Sequence, residues 1–158
     1  GMGCHTYGSL GIQMRNTMLT HMTLNVIAPY DAEINEEQAD FVRHSVDIYK
    51  NFIRKFLPDS KIYHHTPEMG LLDCEFYALE VASPDCTKGA VAVFSMPDAK
   101  SRRFTIIPKG IKADFTYKIT LDNSGATYES KGIDLVMKGI PADLSCALSS
   151  ELILYQKI

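Results

Sequence analysis

The sequence predicts a mainly β protein, an antiparallel β-sandwich of seven to eight strands of the Greek-key type, preceded by one long α-helix and an irregular N-terminal segment. Three observations lead to this prediction. Apolar residues alternate with polar ones after Pro58, turn-forming clusters separate the alternating runs, and a helical spacing of apolar residues occurs only before Pro58.

The helix is predicted from Asn35 to Leu57. Asn35 can cap its first turn, Gln38 stands at the third helical position as a capping-box partner, and Pro58 ends it. Apolar residues recur along this stretch at spacings of three and four and form a stripe on one face. The stripe comprises Val42, Val46, Tyr49, Ile53 and Phe56, widened by Phe41, Ile48 and Phe52.

Seven runs with a period of two follow the helix: "KIYHHT", "CEFYALEVA", "AVAVFSM", "RRFTIIP", "FTYKITL", "ATYES" and "SELILYQKI". In "FTYKITL" the apolar side chains point to one face and the Thr and Lys side chains to the other, as in a half-buried strand. The separators "SPDCTKG", "MPDAKS", "PKGIKAD" and "LDNSG" contain the Gly, Pro, Asp and Asn that tight turns require. Strands at this spacing are typical of a sandwich.

The N-terminal segment fits neither period. We predict that "MLTHMTLNVIAP", residues 18–29, is irregular with a short helix, because its apolar residues match neither a strand nor a helix. An irregular stretch of this length in a domain is usually a functional loop, and this one is too apolar for disorder.

The composition excludes several function classes. The 158 residues include 46% hydrophobic and 22% charged residues, with 16 Lys and Arg against 19 Asp and Glu and a net charge of −3. The basic residues are scattered, so no nucleic-acid surface is predicted. No apolar stretch approaches the roughly 20 residues needed to cross a bilayer, and the N-terminus lacks the order of a signal peptide. We therefore expect a soluble protein without a membrane partner, whose location the sequence does not fix.

The four cysteines do not have the spacing of a metal site. Cys74 lies in an apolar run and Cys146 beside one, so both are predicted to be small buried residues. A disulfide between Cys74 and Cys86 across neighbouring strands is left open, and with it the redox compartment.

Three residues near the N-terminus are the candidate binding residues: His5, Arg15 and His21. They lie in loop-like sequence beside Gly, Thr and Tyr residues. By contrast, His44 is predicted to be a solvated side chain of the helix. The pair His64-His65 is predicted to point to opposite faces of a strand and to serve ordinary packing and hydrogen bonding.

No catalytic residue, metal site or cofactor site is predicted from the residues themselves. Hydrolysis of a glycoside usually requires two carboxylates on rigid elements, and the Asp residues at 85, 98, 114 and 122 all lie in turn clusters. Nucleophile-elbow and phosphate-binding glycine motifs do not occur in the sequence.

Several stretches, taken in order, resemble the C-terminal end of clan D glycoside hydrolases, the α-galactosidase-like enzymes of family 36. "MGCH" resembles a segment late in the catalytic barrel of that family, and the Arg15 region resembles a nearby Arg-containing loop. "INEEQADFVRHSVDIYKNFIRKF" is similar to the helix that follows, "GATYESKGIDLVMKGI" to a pattern near the end of the trailing β domain, and "LSSELILY" to the final strand.

The resemblance implies a division of the chain into residues 1–58, the end of a (β/α)8 barrel with one long helix, and residues 59–158, the C-terminal β-sandwich. It also implies that the nucleophile and acid/base aspartates belong to earlier barrel strands, which this chain does not contain. His5 and Arg15 would then line a sugar subsite without performing the chemistry, and His21 is equally compatible with a structural role.

The resemblance therefore implies a structural domain of a retaining hydrolase, which buttresses the barrel and has no complete active site. α-Linked galactosides or other sugars would be bound through the whole enzyme. Two alternatives of other classes are a stand-alone carbohydrate-binding module and an oligomerisation module. In the second, the helix stripe formed by Val42, Val46, Tyr49 and Ile53 would pair with another copy.

Overall fold

The structure, a computed structural model, describes residues 9–20, 22, 33–65 and 74–158. This part of the chain forms eight β-strands and three α-helices. The helices are α1 (Leu10–Met18), α2 (Glu36–Asn51) and α3 (Gly132–Lys138). The strands are β1 (Lys61–His64), β2 (Phe76–Ala82), β3 (Lys88–Ser95), β4 (Arg103–Ile106), β5 (Thr116–Leu121), β6 (Ala126–Lys131), β7 (Ile140–Asp143) and β8 (Ser150–Lys157).

Six strands form the main sheet in the order β1-β2-β3-β8-β5-β6, and β4 pairs with β7 in a second sheet. Every pair is antiparallel. The register places Leu79 opposite Ala92 and Ala92 opposite Leu152, so these three residues share one face of the main sheet. The predicted mainly β, antiparallel sandwich is confirmed.

One face of the main sheet packs against the two-stranded sheet and α3. "FTYKITL" alternates as predicted, since Tyr117 and Ile119 point into this core and Phe115 and Leu121 pack against it. The largest contributors are Phe76, Val91, Val93, Ile106, Tyr117, Ile119, Leu135, Ile140, Ile153 and Tyr155.

The other face of the main sheet is covered by α1 and α2. Met18 and Leu19 at the end of α1 and Ile53 after α2 are fully buried against Leu79, Val81 and Leu152. The central strands are therefore apolar on both faces, which explains their nearly continuous hydrophobic sequence.

The helix stripe packs on the sheet and on α1. Val42 and Ile53 are buried, and Val46 and Tyr49 are half-buried. The predicted boundary between residues 58 and 59 falls inside a 3-10 turn, Leu57–Asp59, and the helices share a core with the main sheet, so the division into two parts stays a prediction.

The predicted cap of α2 is confirmed. The Oδ1 atom of Asn35 accepts a hydrogen bond from the backbone N–H of Gln38 at 2.8 Å, and the Oε1 atom of Gln38 accepts one from the N–H of Asn35 at 3.0 Å. The α-helix ends at Asn51, earlier than the predicted Leu57, and two short 3-10 turns continue to Asp59. Pro58 lies in the second of these turns, where it has no backbone N–H to donate to an α-helical hydrogen bond.

Two short elements of the structure, α3 and β7, are not predicted from the sequence. The helix α3 has seven residues, too few for a period to be visible. The strand β7 contains Pro141, and a proline argues against a central strand, but among the described strands β7 pairs with β4 alone. A short helix is predicted within residues 18–29. The short helix of the N-terminal region is α1, which ends at Met18, the first residue of that stretch. Residues 23–32 are outside the described part of the chain.

The described cysteines, Cys74, Cys86 and Cys146, are free thiols. The predicted burial is wrong for two of them: Cys74 is half-buried and Cys146 is exposed. Cys146 lies in the turn before β8, where the apolar run that predicted its burial has not yet begun. Among the described helices, none combines the length and the apolar character needed to span a bilayer.

Candidate functional site

Of the three predicted binding residues, the structure describes Arg15, while His5 and His21 lie outside the described residues. Arg15 stands on α1 and is 3% exposed. Its burial arises because α1 lies directly on the main sheet, with Met14 and Met18 pointing into the core between them.

The guanidinium of Arg15 joins α1 to the sheet. Its Nη2 atom donates to Asp122 Oδ2 at 2.7 Å and to Asn123 Oδ1 at 2.6 Å. Its Nη1 atom donates to the backbone carbonyl of Ser150 and, at 3.1 Å, to the Ser150 hydroxyl. The guanidinium carbon lies 5.7 Å from the centre of the Phe41 ring on α2. One side chain thus contacts α2, the β5-β6 turn and the start of β8.

Asp122 is shared between the two helices. Its Oδ1 atom lies 2.6 Å from Nε2 of His44 on α2, while Oδ2 binds Arg15. His44 is 55% exposed, as predicted for a solvated helix residue, but its ring is also bound to Asp122. The sequence does not predict this contact, because Asp122 lies in a turn cluster, where an Asp usually bonds its own backbone.

Glu151 lies beside this group of residues. Its Oε1 atom accepts hydrogen bonds from the backbone N–H groups of Asn123 at 2.9 Å and Leu152 at 2.8 Å. Burial raises the pKa of the Glu151 carboxyl, and the bond from Asn123 and the charge of Arg15 offset only part of this effect.

An open cleft of about 770 Å³ borders Arg15. It lies between the first turns of α1 and α2 and the segment that connects β7 to β8. Within the described part of the chain, the buried Nε atom of Arg15 has no hydrogen-bond acceptor. The cleft is lined by Ser9, Gly11, Arg15, Glu37, Phe41, Asn123, Asp143, Leu144, Ser145, Cys146, Leu148, Ser149 and Ser150.

The carboxylates of the cleft do not have the surroundings of a general acid. Arg103 binds both oxygens of Asp143, at 2.6 and 3.0 Å, and its hydrogen bonds lower the pKa of that carboxyl. Glu37 is exposed in the first turn of α2. A glycosidase general acid needs a raised pKa, which burial in an apolar pocket provides. The described residues also contain no group of His, Cys, Asp and Glu side chains that could hold a metal ion.

A second group of polar residues surrounds Glu80 in the sandwich core. Glu80 is fully buried on β2 and accepts hydrogen bonds from the Tyr155 hydroxyl at 2.7 Å and from the backbone N–H groups of Gly110 at 2.8 Å and Lys109 at 2.9 Å. Nε2 of His65 lies 2.6 Å from its Oε2 atom. Burial acts to raise the pKa of Glu80, but these bonds outweigh it and the pKa is lowered.

The two adjacent histidines have different surroundings. The side chain of His64 is exposed, while that of His65 is almost buried against Glu80. The sequence contained a signal for the Glu80 group, because an acidic residue stands on the core-facing side of the apolar run "FYALEVA". A buried carboxylate in a strand requires donors nearby.

No protein-family model matches the chain. No curated protein matches it in sequence either. Among solved structures, the galactosidase domain of an α-galactosidase-sucrose kinase aligns with a TM-score of 0.62 and 17% identity over 79% of this chain. A family GH36 α-galactosidase of Geobacillus stearothermophilus, in complex with raffinose, aligns with a TM-score of 0.62 and 18% identity over 80% of this chain. The α-galactosidase of Lactobacillus brevis aligns with a TM-score of 0.63 and 18% identity over the same share.

The chain has the fold of a segment of family GH36 α-galactosidases. It spans 17% of the length of each of these matched chains. The resemblance to this family is confirmed at the level of the fold. The alignments cover about 80% of this chain but 17% of each matched chain, which is consistent with the predicted C-terminal part of such an enzyme.

Proposed function

We propose that this chain is the non-catalytic C-terminal part of an α-galactosidase-like glycoside hydrolase and has a structural, buttressing role. The observation that carries the proposal is the fold match, which includes 80% of this chain and 17% of the matched enzyme. A segment of that size is too short to supply a whole barrel, for which about 250 residues are typical.

The polar groups of the chain support a structural role. The oxygens of Glu80, Asp122 and Asp143 are bound by side chains or backbone N–H groups of the same chain. Catalytic carboxylates must exchange a proton or attack a sugar carbon, and for this they need a free oxygen that faces the substrate. Glu80, Asp122 and Asp143 instead fasten one element to another.

An immunodepletion experiment tests the proposal. Antibodies raised against the purified chain are used to deplete an extract of the source cells, and hydrolysis of an aryl α-galactoside is measured before and after depletion. We expect depletion to remove α-galactosidase activity, while the purified chain alone hydrolyses no substrate. Pre-immune serum is the control. Full activity in the depleted extract, or hydrolysis that follows the purified chain through every column, would contradict the proposal.

The cleft favours a carbohydrate-binding module as the second candidate. It combines an aromatic ring, Phe41, with serine hydroxyls and the Asn123 side chain. Aromatic faces and precisely placed polar groups are typical of small-molecule sites. Titration of the labelled chain with methyl α-galactoside, followed by NMR, separates the two candidates. Shifts confined to the cleft favour binding, and an unchanged spectrum favours the structural role.

A further inference from the structure

The strand β6 presents an unpaired edge. It is the last strand of the main sheet and pairs with β5 on one side. Nothing in the described part of the chain pairs with its other side, and most of its residues are exposed. The backbone N–H and C=O groups of such an edge can pair with a strand of another chain.

An apolar surface lies directly beside this edge. On α3, which begins where β6 ends, Met137 is 73% exposed, and Ile133 and Val136 are also exposed. Their spacing of three and four places them on one face of the helix. Leu135 instead anchors α3 in the sandwich core. Tyr128 of β6 is a further exposed apolar side chain, on the same sheet face as Ile119 opposite it.

The charged residues of this region balance one another. Glu129 and Lys131 lie on β6, and Asp134 and Lys138 lie on α3, with Lys138 Nζ 3.3 Å from Asp134 Oδ1. Atoms of these four residues, of Tyr128 and of Leu135 border one groove of about 430 Å³. Two acidic and two basic groups give no preference for a strongly acidic or basic partner, but they match a rotated copy of the same surface.

The register of a symmetric pairing follows from this charge pattern. If two β6 strands pair antiparallel about a two-fold axis at Ser130, Glu129 of each copy stands directly opposite Lys131 of the other. Opposed residues of antiparallel strands share a sheet face, so both ion pairs form on the face away from Tyr128. The α3 helices lie on the opposite face, near the same axis.

We propose that the β6 edge and the exposed face of α3 form a self-association surface, on which β6 pairs antiparallel with β6 of a second copy. Because β6 ends at Lys131 and α3 begins at Gly132, the main sheet then continues across the two-fold axis through residues 129–131 of each copy. Glu129 pairs with Lys131 of the partner copy, and Ile133, Val136 and Met137 are covered. This surface is separate from the helix stripe and from the Arg15 cleft, and the inference does not depend on the proposed function.

Charge reversal distinguishes the proposed strand pairing from a non-specific apolar contact, because only the strand pairing depends on the signs of the charges at positions 129 and 131. Sedimentation equilibrium of the purified chain, at micromolar to millimolar concentrations, measures the dimer Kd. We expect Glu129→Lys and Lys131→Glu each to raise the Kd by about tenfold, because each places like charges opposite one another twice. The double variant, Glu129→Lys with Lys131→Glu, restores the wild-type Kd.

Two further variants complete the test. Lys61→Glu reverses a charge on β1, at the other edge of the same sheet, and leaves the Kd unchanged. Met137→Glu raises the Kd by at least as much as the single reversals, since it places a charge in the covered apolar face. Circular dichroism confirms that each variant is folded. A wild-type chain that is monomeric throughout the range overturns the proposal, and so do single reversals without effect or a double variant that does not recover.

Discussion

Glu80 and Glu151 are two buried carboxylates of the same sheet, and their pKa values are shifted in opposite directions. Four donors bind Glu80, two on each oxygen. Glu151 accepts two backbone N–H groups on one oxygen, at the border of the helical layer. Burial alone would raise the pKa of both groups. Four donors outweigh the effect of burial on the pKa of Glu80, whereas at Glu151 two donors and the charge of Arg15 do not.

The two carboxylates also belong to two different groups of polar residues. The bonds of Glu80 fasten the segment around Lys109 and Gly110 to β2 within the sandwich. The residues around Arg15 join the helices to the sheet, and they border a cleft. We therefore expect changes around Glu80 to act on stability first.

The largest expected effect is that of Glu80→Ala. It leaves the Tyr155 hydroxyl, two backbone N–H groups and His65 without their acceptor in the core. We expect the free energy of unfolding to fall by about 3–5 kcal/mol, as for other broken buried pairs. Urea denaturation followed by circular dichroism measures the change.

The control for this variant is Asp47→Ala, at an exposed position on α2, for which a change within about 0.5 kcal/mol is expected. Because the pKa of Glu80 is lowered, its stabilising contribution is present above the unfolded-state pKa and is lost as the pH falls through the folded-state pKa. The difference between wild type and Glu80→Ala should therefore shrink in acid. A difference that is the same at neutral and acidic pH would contradict this assignment.

An intermediate effect is expected from a matched pair of glycines. At Gly110 an added Cβ would lie 2.1 Å from the Cβ of Ala82 and 2.4 Å from the Tyr155 oxygen. At Gly11, in the first turn of α1 beside the cleft, the nearest atom would be the Ser150 hydroxyl at 3.2 Å. We expect Gly110→Ala to cost about 1–3 kcal/mol, because the loop must move away from β2.

For Gly11→Ala we expect a change within about 1 kcal/mol, because the gain in helix propensity opposes a small displacement of Ser150. Thermal unfolding of both variants beside wild type provides the measurement. Equal losses for the two would show that the cleft border is packed as tightly as the Glu80 region, and the contrast between the regions would then be wrong.

Local signals in the sequence predicted the elements that depend on neighbouring residues. Asn35 and Gln38 cap α2 within one turn, and the alternation in "FTYKITL" gives the faces of β5 directly. The contact between Arg15 and Asp122 joins positions 107 residues apart, and no local pattern encodes it. Arg15 could be identified as a residue of interest, but its partners depend on how α1 lies on the sheet. The element α3 was too short to show a period.

The smallest expected effect is that of Glu151→Gln, which also has the opposite sign. A carboxyl with a raised folded-state pKa contributes stability that is present below its unfolded-state pKa and is lost as the pH rises through its folded-state pKa. At neutral pH the charged form of Glu151 is therefore a cost. The Gln amide oxygen can still accept the N–H groups of Asn123 and Leu152, so we expect the variant to equal or exceed wild type by up to about 1 kcal/mol at neutral pH. This gain should disappear in acid, where wild-type Glu151 is protonated.

Glu80→Gln is the matched control, and the same substitution there should lower stability at neutral pH, because a neutral amide attracts the four donors less strongly than a carboxylate does. Urea denaturation of both variants across the acidic to neutral range measures the two signs. If Glu151→Gln lost stability at neutral pH as Glu80→Gln does, the number of donors would not be what distinguishes the two carboxylates.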